Sequence, residues 1–84
     1  MTSRHQRTLE HLFERPERLD VAWRDVEALV LALGAEVSEG QGSRVRVALN
    51  GVRAVFHRPR PKKEVDKGMA KSVRRFLGEA GVKP

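Results

Sequence analysis

The sequence contains no cysteine, which excludes disulfides and thiolate metal sites and leaves the redox compartment open. No uninterrupted apolar run approaches membrane-spanning length, and the N-terminus lacks an apolar signal core, so a cytoplasmic protein without a membrane partner is expected. Acid is scarce in one half of the chain. Ser43 to Pro84 holds three Asp/Glu against twelve Lys/Arg, a net +9, whereas Met1 to Gly42 holds eight Asp/Glu against five Arg, a net −3. Such asymmetry within one small domain is an electrostatic footprint for a polyanion. A solvated basic face is the plainer alternative. At 84 residues there is room for one small, marginally stable domain.

Helical periodicity covers Thr2 to Arg15, with Ser3 as a candidate N-cap, a narrow stripe of Leu9, Leu12 and Phe13, and a stop at Pro16. So thin a stripe predicts a helix only partly docked. His5 and His11 in it are read as surface histidines. After the connector Glu17 to Val21, a second helix is expected over Trp23 to Leu33. Val26, Leu29, Val30 and Leu33 share its apolar face, Asp25 and Glu27 suit its positive end, and Gly34 terminates it. Trp23 is read as core rather than as an RNA-stacking ring. Ala35 to Glu39 alternates like a strand, and Gly40-Gln41-Gly42 is read as an ordinary turn.

Asn50-Gly51 between alternating segments signals a two-residue hairpin, because both residues tolerate the positive φ of a type I′ turn. The register follows. Leu49 faces Val52, Val47 faces Ala54 and Val45 faces Phe56 on an apolar side. Ala48 faces Arg53, Arg46 faces Val55 and Arg44 faces His57 on a mainly basic side. A one-residue slip would mix the two sides. The run Arg58-Pro59-Arg60-Pro61 cannot continue a central strand and predicts a stiff extended arm. Lys62 and Lys63 follow, and Asp66 caps a final helix from Lys67 to Ala80 that buries Met69, Ala70, Val73, Phe76, Leu77 and Ala80. Lys71, Arg74 and Arg75 project from its other side. The expected architecture is α+β, two helices on a three-stranded antiparallel sheet, with an N-terminal helix added.

From Trp23 onward the chain resembles the HicA family of bacterial toxins. The resemblance lies in WRDVEALVLALGAEV, in the glycine-serine entry to a strand in EGQGSRVRV, in the hairpin, and in PKKEVDKGMAKSVRRFLGEAGV. It divides the chain into an extension, residues 1–22, and a domain, residues 23–84. It implies a fold like the double-stranded-RNA-binding domain, mRNA endoribonuclease activity that blocks translation, and neutralisation by a HicB antitoxin. The family's catalytic histidine directly follows the glycine-serine pair, where this chain has Arg44. A second histidine, in a pattern like P-H-P-K-K-E, corresponds here to Arg60. Neither histidine carries over.

Metal-free RNA cleavage needs a base for the 2′-hydroxyl proton, stabilisation of the charged phosphorane and help for the leaving oxygen. Glu64, Asp66 and Glu79 do not make a two-metal cluster, so no metal or cofactor is expected. The expected register sets His57 across from Arg44, near the space the family's histidine would fill. His57 is therefore the candidate base or acid and Arg44 the candidate electrostatic stabiliser; alternatively His57 only ends a strand and contacts phosphate or the antitoxin. Arg44, Arg46, Arg58, Arg60, Lys62, Lys63, Lys67 and Lys71 are the candidate RNA-binding residues, with the lysines gathered where a helix N-terminus already favours an anion. A non-catalytic RNA-binding module and a basic protein-interaction domain are the competing readings.

Overall fold

In the computed structural model of the chain, which describes residues 3–16, 20–59 and 63–84, helices lie on one side of a sheet and leave the other open. The order is α1 (Ser3–Leu12), α2 (Trp23–Ala32), β1 (Glu36–Glu39), β2 (Arg44–Leu49), β3 (Val52–His57) and α3 (Lys67–Glu79). The sheet is antiparallel with strand order β1-β2-β3. From α2 onward this is the α-β-β-β-α arrangement of the double-stranded-RNA-binding domain, with α1 added in front.

The hairpin adopts the expected register at all six pairs, from Leu49 opposite Val52 to Arg44 opposite His57. Asn50 and Gly51 take φ values of 52° and 82°, the left-handed backbone that a type I′ turn demands of both central residues. Asn50 has a second task that its turn role does not announce, since its Nδ2 donates to the Ala80 carbonyl at 2.8 Å and ties the hairpin to the end of α3. Val45, Val47, Leu49 and Phe56 are buried on the helix side. Phe56 sits between Trp23 of α2 and Phe76 of α3, with ring centroids 6.0 and 5.8 Å away and the second contact edge-on. Trp23 is therefore core. Its Nε1 donates to Glu27 at 2.6 Å, so its one polar atom is satisfied at the rim. At α3 the Asp66 carboxylate caps the helix by accepting the Met69 N–H at 2.7 Å.

One expectation needs correction. Helix α1 is docked: Leu9 and Leu12 are 1% and 2% exposed and belong to the same core as α2, α3 and the sheet. The stripe is wider than its apolar letters because Thr8 is buried too, its hydroxyl donating to the Arg4 carbonyl at 3.1 Å. A satisfied hydroxyl can enter a core at little cost. Arg60 and Pro61 of the expected extended arm lie outside the described residues, and the chain that follows them joins the fold. Val65 is 1% exposed, its N–H donates to the Val21 carbonyl at 2.8 Å, and the Lys63 carbonyl accepts the Trp23 N–H at 2.9 Å. Ala22 and Glu64 thus form a short antiparallel bridge, which pins the end of the turn to the start of α2.

Candidate functional site

The open face of the sheet follows from the two-residue period of its strands. Every second side chain of β2 and β3 enters the core, so Arg44, Arg46, Arg53, Val55 and His57 remain outside and exposed. Arg44 and His57 close the β2–β3 ladder. Beyond them the Arg58 N–H donates to the Ser43 carbonyl at 2.9 Å. That bond makes Arg44 and His57 a non-hydrogen-bonded pair, the kind in which facing α-carbons lie about 4.5 Å apart and side chains are nearest. Arg46 is the next outward residue on the same strand. A shallow depression of about 470 Å³ continues along the face, lined among others by Glu36, Arg46, Ala48, Arg53 and Val55. Gly40 borders the pair: a Cβ there would lie 3.3 Å from the Cβ of Arg44, so a side chain at position 40 would crowd it.

Arg58 follows His57 in sequence but points to the helix side. Its Nε donates to Glu27 at 3.0 Å and its Nη1 to Glu39. Glu27 Oε1 also accepts from Trp23, so one carboxylate oxygen serves both donors. The hydrogen bond that Arg58 donates to Glu39, then that to Glu27, raises its pKa above the ordinary value. This guanidinium therefore joins the exit of β3 to α2 and β1, and two carboxylates already engage it.

Lys63, Lys67 and Lys71 are exposed around and along the start of α3. Arg60 and Lys62 lie outside the described residues. A pocket of about 330 Å³ opens beside the turn, between Arg58, Pro59 and Lys63 on one side and Trp23 and Arg24 on the other. The sequence-predicted residues thus fall into two groups. Arg44, Arg46 and His57 share the open face of the sheet, whereas Lys63, Lys67 and Lys71 belong to the helix side. Strand alternation alone does not expose that division, because it says nothing of which way the chain leaves β3. Val65, a lone apolar residue in a polar run, is the signal that the turn folds back onto the domain.

Among the described residues no group of three or more His, Cys, Asp or Glu is arranged to hold a metal ion, and no helix is long and apolar enough to cross a membrane. Residues 23–82, from the first residue of α2 to three residues beyond α3, match a family model described as HicA toxin of bacterial toxin-antitoxin. No curated protein and no solved structure gives a significant match.

Proposed function

The chain belongs to the HicA toxin family and is the toxin component of a toxin–antitoxin system with an antitoxin partner, and from that premise we propose that it is a metal-independent endoribonuclease that cleaves mRNA and blocks translation in the cytoplasm. A HicB-like protein is the antitoxin. The observation that carries the reading is the Arg44–His57 pair, exposed at the end of the β2–β3 ladder with Arg46 beside it. In its neutral form the His57 imidazole takes the proton from a ribose 2′-hydroxyl. The freed oxygen attacks the adjacent phosphorus, and the bond from phosphorus to the 5′-oxygen breaks. The guanidinium groups of Arg44 and Arg46 stabilise the extra charge on the phosphorane oxygens. Water, or the protonated imidazole after it turns, supplies the proton to the departing oxygen. Lys63 and Lys67 on the other group hold the backbone by charge and add affinity rather than chemistry.

The test is RNA cleavage by the purified protein in the presence of a chelator, beside His57→Ala and Arg44→Ala. Wild type is expected to cleave, and loss of the base to lower the rate by about 10²-fold or more. Cleavage by His57→Ala at the parental rate would remove His57 from the mechanism. Arg44→Ala is expected to slow the reaction by about 10²-fold, the scale of losing one stabilising donor. RNA retained without turnover would instead identify a non-catalytic binding module, for which arginine in place of the family's histidines favours affinity. No RNA binding even at low salt would leave a protein-interaction domain.

A further inference from the structure

The two edges of the sheet are unlike. Strand order β1-β2-β3 leaves β1 and β3 each bonded to β2 alone. Strand β1 is four residues long, and Glu36, Ser38 and Glu39 along it are exposed, the short and charged form in which folded proteins protect an edge. Strand β3 is six residues long, pairs with β2 without a bulge and contains no proline. Val55 in it is 54% exposed; with Leu31 it is one of the two large exposed apolar side chains among the described residues. Because Arg44 and His57 are a non-hydrogen-bonded pair, Val52, Ala54 and Phe56 direct their N–H and C=O groups to β2, and Arg53, Val55 and His57 direct theirs outward. Among the described residues no backbone bond reaches the outward groups of Arg53 or Val55.

We propose that the free edge of β3 is where the antitoxin docks, adding an acidic extended segment of its own to the sheet as a fourth strand. The inference deepens the reading above and rests on its statement that a HicB-like protein is the antitoxin; it does not depend on whether His57 cleaves RNA. The chemistry of the edge selects the occupant. Each outward residue offers both a donor and an acceptor, repeated about every 7 Å along the strand. Phosphates supply acceptors for the N–H groups but leave the carbonyls unanswered, whereas a peptide strand answers both. A second copy of this chain, at net +6, sets one basic open face beside another, and like charges on neighbouring strands repel. On that face β3 presents Arg53, Val55 and His57 in alternation. Their complement is a strand with an apolar residue opposite Val55 and an acid two residues to either side. Its backbone lies about 4.8 Å from β3. The acid opposite His57 then stands beside the imidazole and competes with phosphate at the Arg44–His57 pair.

The test is amide hydrogen exchange, read residue by residue by NMR, on the full chain alone and in complex with the HicB-like protein encoded beside it. In the free chain the Arg53 and Val55 amides are expected to exchange at nearly unprotected rates. In the complex they are expected to slow by about 10²-fold, while those of Val37 and Glu39, which face outward on β1, stay unchanged. Val55→Pro removes the outward donor and leaves the β2–β3 ladder whole, because that N–H takes no part in it. It is expected to weaken the complex by about tenfold or more. Val55→Asp, which sets an acid against the partner's acids at an exposed position, is expected to weaken it similarly. Circular dichroism confirms that each variant folds, and the exchange measurement decides if Val55→Pro does not. A complex in which the Arg53 and Val55 amides stay unprotected, or unchanged affinity in both variants, would overturn the edge. Protection of these amides by a 2′-O-methylated RNA but not by the HicB-like protein assigns the edge to nucleic acid and overturns it as well. Protection that appears without the partner, as the concentration of the chain rises, identifies a second copy instead. Absence of any complex removes the partner reading and this inference together. Protected amides in a protein that cleaves no RNA would remove the nuclease reading and leave the edge standing.

Discussion

His57 and Arg58 are neighbours in the chain and opposites in the fold. Both are cationic or able to become so, yet one stands exposed on the open face and the other is drawn to the helix side by Glu27 and Glu39. The comparison extends to the whole sheet. Its helix side is closed by Phe56 between two aromatic rings and by a charged network at the rim; its open side carries Arg44, Arg46, Arg53 and His57, with Glu36 as the acid among the described residues that line the depression. A basic residue in this chain is thus not one kind of object. Where a carboxylate bonds to it, as Glu27 and Glu39 bond to Arg58, arginine is part of the architecture. Where none does, it remains available for an anion from outside.

Truncating residues on the two sides breaks the comparison most sharply if the division is wrong. Phe56→Ala is expected to destabilise the domain by about 3–5 kcal/mol, because it removes the ring shared by Trp23 and Phe76. Val55→Ala, one residue earlier but 54% exposed on the open face, is expected to change stability by no more than about 0.5 kcal/mol. Urea denaturation of the two variants reads both values, and similar losses would contradict the two-sided sheet. Leu9→Ala follows at about 2–4 kcal/mol, since Leu9 is 1% exposed within the common core. A partly docked helix would lose far less.

Arg58→Met sharpens the comparison at the rim. The substitution keeps much of the stem's volume and leaves Glu27 and Glu39 without their shared cation, so the thermal midpoint is expected to fall. Because its pKa is raised, the stabilisation from Arg58 is present at every pH below the ordinary guanidinium range and is lost only as pH climbs above it. The deficit of Arg58→Met relative to wild type should accordingly be the same at pH 7 and pH 9 in a thermal melt. A deficit that disappears at pH 9 would point to a different partner.

Much of this arrangement is legible in the residues. The two-residue period of the strands and the Asn50-Gly51 turn are local signals, and they specify the register down to the Arg44–His57 pair because any slip would put arginine into the core. Asp66 and Gly34 likewise mark helix ends through short-range hydrogen bonding and backbone geometry. Tertiary partners are harder to read. Nothing near Arg58 in sequence announces Glu27 or Glu39, which lie 31 and 19 residues away. The burial of Thr8 depends on a bond to its own helix, and the pairing of Val21 with Val65 joins two stretches that look like linkers. The candidate site divides the same way: its strand half follows from periodicity, whereas its helix half depends on how the chain returns from β3.

The smallest expected effect concerns what holds α1. Arg4 Nη2 donates to Asp25 of α2 at 2.9 Å, a well-formed ion pair linking the two helices. Its arginine side chain is 70% exposed, however, so water and salt compete for both charges and ordering a long side chain offsets part of the attraction. Burial of Leu9 and Leu12 involves no such competition. Arg4→Ala is therefore expected to shift unfolding stability by about 0.5 kcal/mol or less, and the shift should shrink further in high salt. A double-mutant cycle with Asp25→Ala isolates the pair from any effect of truncation itself. A coupling well above 1 kcal/mol would show that charge, rather than the buried leucines, fastens α1 to the domain.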